Sequence, residues 1–177
     1  SQNPGTRRQE TVGFQPQSAG NYKIRAVSFS GSGNYFLDVS AGTAPAVSIT
    51  LSTDGATPFG IVAPNTTVDT TSSGTNDVQT VQVTTGPADL SVKSTNFSDG
   101  SNTWALGSTN GANQVKWEFS KDGTTWTTFA SAGALFALDA NVAQGATRNL
   151  YLRLTMPTSS SSNNEHSATV TIVAASP

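Results

Sequence analysis

The sequence predicts an all-β protein, an antiparallel β-sandwich of the jelly-roll or immunoglobulin-like kind with an N-terminal extension and hairpin. Short segments of alternating apolar and polar residues recur along the chain, and turn signals separate them at a spacing of roughly 8–12 residues. No segment has a sustained helical period. Strands and helices do not alternate, which argues against α/β folds.

The composition suits such a fold. The 177 residues are enough for one substantial hydrophobic core. Only 11% of them are charged, whereas 23 are Ser and 26 are Thr. Thr favours strands and Ser favours turns, so we expect a polar but uncharged surface. The formal net charge is −2 and the nine cations are scattered, which does not resemble the basic patch of a nucleic-acid-binding protein.

The composition also bears on location. No apolar run approaches the ~18 residues of a transmembrane helix, so we expect no membrane span. The sequence has no cysteine, which excludes disulfides, thiolate metal sites and cysteine nucleophiles. It opens with Ser1, as expected of an exported protein whose presequence has been removed, or of a trimmed chain. The uncharged, Ser/Thr-rich composition leads us to expect an extracellular or cell-surface location.

The chain is predicted to have three parts. Residues 1–20 are polar, are interrupted by glycine and proline, and form an extended N-terminal segment. Residues 21–44 are a β-hairpin and connector, and residues 45–177 are the sandwich domain. The predicted strands, in order, are 22–29, 35–39, 47–52, 78–83, 90–97, 104–106, 115–119, 125–129, 148–156 and 168–174. Segment 65–77 is an edge strand or a long loop, and residues 135–142 form at most one helical turn.

The clearest hairpin pairs residues 115–119 with residues 125–129. Its turn contains Asp122-Gly123, which favours a type I′ turn because both central residues then need a positive φ. Apolar residues alternate along this hairpin and along residues 148–156. They predict a core of Trp104, Trp117, Phe119, Leu150, Leu152 and Leu154.

Catalytic chemistry has little support in the sequence, and we expect no enzymatic activity. His166 is the single histidine, and it follows Glu165 in a polar loop where we expect it to be solvated. A catalytic triad needs a buried base that a carboxylate orients. Glu118 and Asp122 lie near tryptophans, as a glycosidase pair would, but an outward strand position explains Glu118 and the turn of the hairpin explains Asp122. We assign no catalytic or cofactor-binding residue.

Two ligand classes remain as alternatives. The clusters Asn76-Asp77 and Asp99-Gly100-Ser101-Asn102 offer oxygen donors for calcium, although such residues are also ordinary in turns. We therefore expect no cofactor and keep calcium as the alternative. Trp126 is a candidate sugar-stacking residue, so a glycan partner also stays open, although core packing is the commoner role of tryptophan.

Parts of the chain resemble known sequences. Residues 120–126 (SKDGTTW) resemble the Asp-box of sialidase propellers, but the match is one residue short and occurs once. From about residue 47 the chain is similar to secreted bacterial and archaeal β-sandwich proteins of the camelysin/TasA kind. The segments that carry this likeness are residues 47–60 (VSITLSTDGATPFG), Asn76-Asp77 before a Val-rich strand, and residues 152–157 (LRLTMP), followed by a Ser-rich loop and residues 168–174. The resemblance implies an extracellular β-sandwich and suggests a fibre subunit.

A fibre subunit would assemble through an exposed strand edge, which another chain can extend. The hypothesis is a structural subunit of an extracellular filament, pilus-like fibre or surface layer, a homopolymer that joins by β-strand addition. The alternative is a monomeric cell-surface adhesin or carbohydrate-binding module. Segment 65–77 is one candidate receiving edge. The candidate assembly strand, which could equally be an unstructured terminus, consists of Arg7, Arg8, Gln9, Glu10, Thr11, Val12, Gly13 and Phe14.

Overall fold

The computed structural model describes residues 46–177, all of which lie in the predicted sandwich domain. The predicted segment 1–20 and hairpin 21–44 lie outside the described residues. The described part contains eleven strands and no helix. The strands are β1 (Ser48–Leu51), β2 (Thr67–Asp69), β3 (Gln79–Thr85), β4 (Ala88–Ser94), β5 (Phe97–Ser98), β6 (Thr103–Gly107), β7 (Gln114–Ser120), β8 (Thr127–Thr128), β9 (Phe136–Val142), β10 (Thr147–Thr155) and β11 (Val170–Ala175).

The larger sheet curls around the central strand β10. Its strand order is β1-β3-β10-β7-β6-β5, and the short strands β2 and β8 pair with β10 and β7. The first half of β10 pairs with β3 and the second half with β7 and β2. All pairs in this sheet are antiparallel except β6–β7, which is parallel.

The smaller sheet has three antiparallel strands in the order β11-β4-β9. Along β4 every second residue is buried, from Ala88 to Ser94, as a strand with one face in the core requires. The two sheets enclose one hydrophobic core, so the predicted all-β, sandwich-like fold is confirmed. Residues 46–177 contain no helix that is long and apolar enough to span a lipid bilayer.

The hydrophobic core contains the residues that the alternation pattern predicts to be buried. All six residues of the predicted core are at most 8% exposed: Trp104, Trp117, Phe119, Leu150, Leu152 and Leu154. Phe129 and Phe97 join them, and each lies against Trp117, at ring-centroid distances of 6.2 Å and 5.2 Å. Aromatic rings therefore fill the middle of the sandwich.

Three local predictions differ from the structure. Residues 136–142 form strand β9 rather than a helical turn. The β7–β8 hairpin exists, but its turn is not type I′, because Gly123 has a φ of 73° whereas Asp122 does not have a positive φ. Asp122 instead accepts hydrogen bonds from the backbone N–H groups of Thr124 and Thr125. In segment 65–77 only Thr67–Asp69 is a strand, and the following residues fold back in a turn closed by the bond from Thr75 N to Asp69 O.

Candidate functional site

An apolar groove of about 1250 Å³ opens between the two sheets. Strands β1, β3, β7, β10 and β11 line it, with Trp117 and the leucines of β10 at its floor. No lysine or arginine lines it within residues 46–177, and Glu165 is the one carboxylate there. The predicted assembly segment, Arg7–Phe14, lies outside the described residues. Among the residues that the structure describes, this groove is the place that a strand of a partner could enter.

Strand β11 borders this groove with an edge that no described strand pairs with. Ser167 exchanges two backbone hydrogen bonds with Ser98, and Thr169 accepts one from Thr95 N. In an antiparallel ladder the backbone groups of alternate residues point to opposite sides. The N–H and C=O groups of Val170, Ile172 and Ala174 therefore point away from β4.

Two of these residues of β11, Val170 and Ile172, also line the groove. Val170, Ile172 and Ala174 are partly buried and pack against the core, whereas the intervening Thr171 is exposed. Backbone groups without a partner among the described residues and apolar side chains thus occur together on one strand. This combination is what β-strand addition requires, because the backbone supplies affinity and the side-chain positions supply specificity.

Strand β1 forms the opposite rim. It pairs with β3 on one side, and Ser52 N donates a hydrogen bond to Thr80 O. By the same alternation, the backbone groups of Leu51 point away from β3. Leu51 also lines the groove and is 42% exposed. Both sheets therefore end in an edge strand at this opening.

The chain between β1 and β2 crosses the groove as a strap, residues 53–66. Gln79 anchors its start by accepting from Gly55 N and donating to Ala56 O, and Asn65 N anchors its end by donating to Pro157 O. Between these anchors Phe59 packs edge-on against Trp117 at a centroid distance of 5.8 Å. Ile61, two residues further, is fully exposed.

His166 lies at one end of the groove, and its predicted solvation was wrong. Its side chain is fully buried and stacks on Trp104, with centroids 3.7 Å apart and planes 9° from parallel. Its loop is held across the sandwich end because Trp104 Nε1 donates to Ser160 Oγ and Ser161 N donates to Asn113 Oδ1. The polar composition of the loop concealed this packing.

Asp99 organises the same end. It accepts hydrogen bonds from the Ser162 hydroxyl, from the backbone N–H groups of Asn102 and Ser101, and from the Asn164 side chain. The Ser162 hydroxyl and then the two backbone groups hold the pKa of Asp99 well below its usual value. Both carboxylate oxygens of Asp99 therefore already accept hydrogen bonds within this end of the sandwich. Residues 46–177 contain no group of three acidic or histidine side chains placed to hold a metal ion.

The other candidate residues lie apart from the groove. Glu118 is buried and forms ion pairs with Arg153 at 2.8 Å and Lys116 at 2.9 Å. Burial alone would raise the pKa of Glu118. The hydrogen bonds and charges of Arg153 and Lys116 outweigh this effect, so the pKa of Glu118 is lowered. The guanidinium of Arg153 also lies 4.3 Å from the ring centroid of Trp126, so one face of that indole is covered.

Asp122 acts within its own turn. The backbone N–H groups of Thr125 and Thr124, followed by the Ser120 hydroxyl, hold the pKa of Asp122 well below its usual value. A stabilised carboxylate of this kind shapes a hairpin and is not poised to act as a general acid.

Comparisons with protein-family models, with curated proteins and with solved structures found no match to this chain.

Proposed function

We propose that this chain is a structural subunit of an extracellular filament, pilus-like fibre or surface layer, in which subunits join by β-strand addition. The observation that carries the proposal is the edge of β11 beside the apolar groove, with which no strand of residues 46–177 pairs. An exposed edge of this kind is a template for another strand. The proposal involves no catalytic step.

The occupant we propose is residues 7–14 of a second copy. Val12 and Phe14 are two residues apart, so both would face the core side of an added strand, where Phe14 could meet the aromatic floor around Trp117. Arg7 and Arg8 give the segment a net positive charge, which suits a groove whose described charged lining is Glu165.

Electron microscopy of the purified full-length protein tests the assembly. We expect fibres or sheets from the wild type and dispersed particles from the double variant Val12→Asp, Phe14→Asp, because two carboxylates cannot enter an apolar groove. The matched control is Gln15→Asp, Gln17→Asp, which makes the same change in charge outside the segment. Assembly by the first variant, or its loss in the control, would contradict the role of residues 7–14.

Disulfide trapping tests the receiving edge, and the chain is suited to it because it has no cysteine of its own. Val12→Cys is combined in turn with Val170→Cys or Ile172→Cys, both of which line the groove. Oxidation should produce a ladder of linked multimers in at least one pair. Thr169→Cys is the control, since Thr169 is exposed, does not line the groove and should not link. A linked monomer instead of a ladder would show that the segment fills the groove of its own subunit.

The second candidate is a monomeric adhesin or carbohydrate-binding module. The observation that favours it is Trp126, which is only partly buried beside Arg153 on a face that does not line the groove. Binding on a glycan array that Trp126→Ala abolishes, from a protein that stays monomeric, would support this candidate over the filament.

A further inference from the structure

His166 carries a polar atom that its surroundings leave without a partner. Its Nδ1 lies 2.9 Å from the backbone carbonyl of Asn164. Its Nε2 is buried, makes no hydrogen bond to the residues that the structure describes, and lies 4.0 Å from Asp99 Oδ2. A buried polar atom without a partner is costly and therefore calls for an explanation.

The hydrogen bond at Nδ1 fixes the tautomer of the neutral ring. A carbonyl oxygen only accepts, so Nδ1 must carry the proton. In the neutral ring Nε2 is then an acceptor, and it faces a carboxylate that is also an acceptor. One added proton at Nε2 converts this mismatch into a charge-assisted pair with Asp99. The same proton places a cation against the face of Trp104, which is also favourable.

The charged groups nearby do not oppose that proton. Asp99, on the loop between β5 and β6, is the only carboxylate within 4.0 Å of the ring nitrogens among the described residues. Glu165, the neighbour of His166 in the chain, has an exposed position. The described lysines and arginines that form ion pairs do so with Glu118 or Asp139. Lys93 is on β4, at the position that pairs with Thr171.

We propose that His166 and Asp99 form a proton-operated latch that fixes the loop of residues 158–167 across the end of the groove. This loop supplies part of the groove lining and continues directly into β11. With the proton bound, the loop is tied to the β5–β6 turn by Ser162, Asn164 and His166 together. When that proton is lost, the contribution of His166 to the latch is lost with it.

The consequence for assembly rests on the proposed function. A closed latch holds Ala168 and Val170, the first residues of the receiving edge, in place before a strand arrives. An incoming strand then loses less conformational entropy in ordering its partner, so it binds more tightly. We therefore expect strand addition to be favoured at mildly acidic pH.

Amide hydrogen exchange on the full-length protein tests the latch. The chain has one histidine, so the variant His166→Phe isolates its contribution. Relative to intrinsic rates, we expect the amides of Ser161, Asn164 and Ser167 to be roughly tenfold better protected at pH 5.5 than at pH 7.5. In His166→Phe, which keeps a ring on Trp104 but binds no proton, protection should change less than about twofold. Leu152, a core amide, controls for global unfolding.

The latch would be contradicted if amide protection changed equally between the two pH values in His166→Phe, or if it did not change in the wild type. Binding of a synthetic peptide of residues 7–14 to the Val12→Asp, Phe14→Asp protein separates this inference from the proposed function. Tighter binding at pH 5.5 supports both. Equal binding at the two pH values contradicts regulation of strand addition by the latch but agrees with the proposed function. If the peptide binds at neither pH, the proposed function is contradicted. The hydrogen-exchange data then still decide whether the latch exists.

Discussion

The indole of Trp117 donates a hydrogen bond to the hydroxyl of Ser94 over 3.1 Å, and this bond crosses the sandwich from β7 to β4. Both side chains are buried. The bond satisfies the one polar side-chain atom of Trp117, and it fixes the indole against Phe59, Phe97 and Phe129. The spacing of the two sheets and the shape of the groove floor therefore depend on the same residue pair.

Ser94→Ala tests the importance of this bond. The variant leaves the Trp117 N–H buried without its partner, which should lower the free energy of unfolding by about 1–3 kcal/mol. Denaturant unfolding followed by tryptophan fluorescence measures the loss. Ser91→Ala on the same strand is the control, because Ser91 is less buried and should change stability by less than about 0.5 kcal/mol. Equal losses in the two variants would contradict the role of the bond.

Phe59 is the second test, because it alone anchors the middle of the strap. No hydrogen bond joins residues 57–62 to the rest of the described chain. Phe59→Ala should lower the free energy of unfolding by roughly 1–3 kcal/mol, less than a fully buried Phe, and should raise hydrogen exchange across the strap. Ile61→Ala is the matched control, since Ile61 is fully exposed. If Ile61→Ala had the larger effect, the strap would be held in another way.

The strands and the core could be predicted because they follow from local alternation. Leu150, Leu152 and Leu154 occupy every second position of β10, and that period fixes both the strand and its buried face. Strand β9 was missed because its pairing with β4 has irregularities on both sides of Leu90. These interrupt the period, and Ala137 and Leu138 by themselves favour a helix.

The groove and the His166 site could not be predicted, because each depends on residues that are distant in the sequence. The alternation of Val170 and Ile172 predicts a strand but does not reveal which strand, if any, lies on its outer side. His166 is buried by Trp104 and faces Asp99, both more than sixty residues earlier in the chain. Its neighbours in sequence, Glu165 and Asn164, are exposed, so local composition indicated solvent.

Asp122 leads to a prediction about acid stability. Its pKa is lowered in the folded protein, so its contribution is complete above the ordinary aspartate pKa of about 3.9 and is lost as the pH falls below that value. Asp122→Ala should lower the unfolding temperature at pH 7, and the difference from the wild type should shrink as the pH falls from 4 towards 2. Asp54→Ala is the control, because Asp54 accepts a single hydrogen bond in an exposed turn. A difference that stays constant with pH would contradict this account.

The ion pair between Glu118 and Arg153 gives the last prediction. Glu118 is almost completely buried, whereas the Arg153 side chain is 25% exposed, so solvent screens part of the attraction. In a double-mutant cycle with Glu118→Gln and Arg153→Gln we expect a coupling energy of about 1 kcal/mol in denaturant unfolding. The parallel cycle with Lys116→Gln should give less, because Lys116 is more exposed. Coupling that is larger for Lys116 than for Arg153 would show that Arg153 acts mainly by covering Trp126.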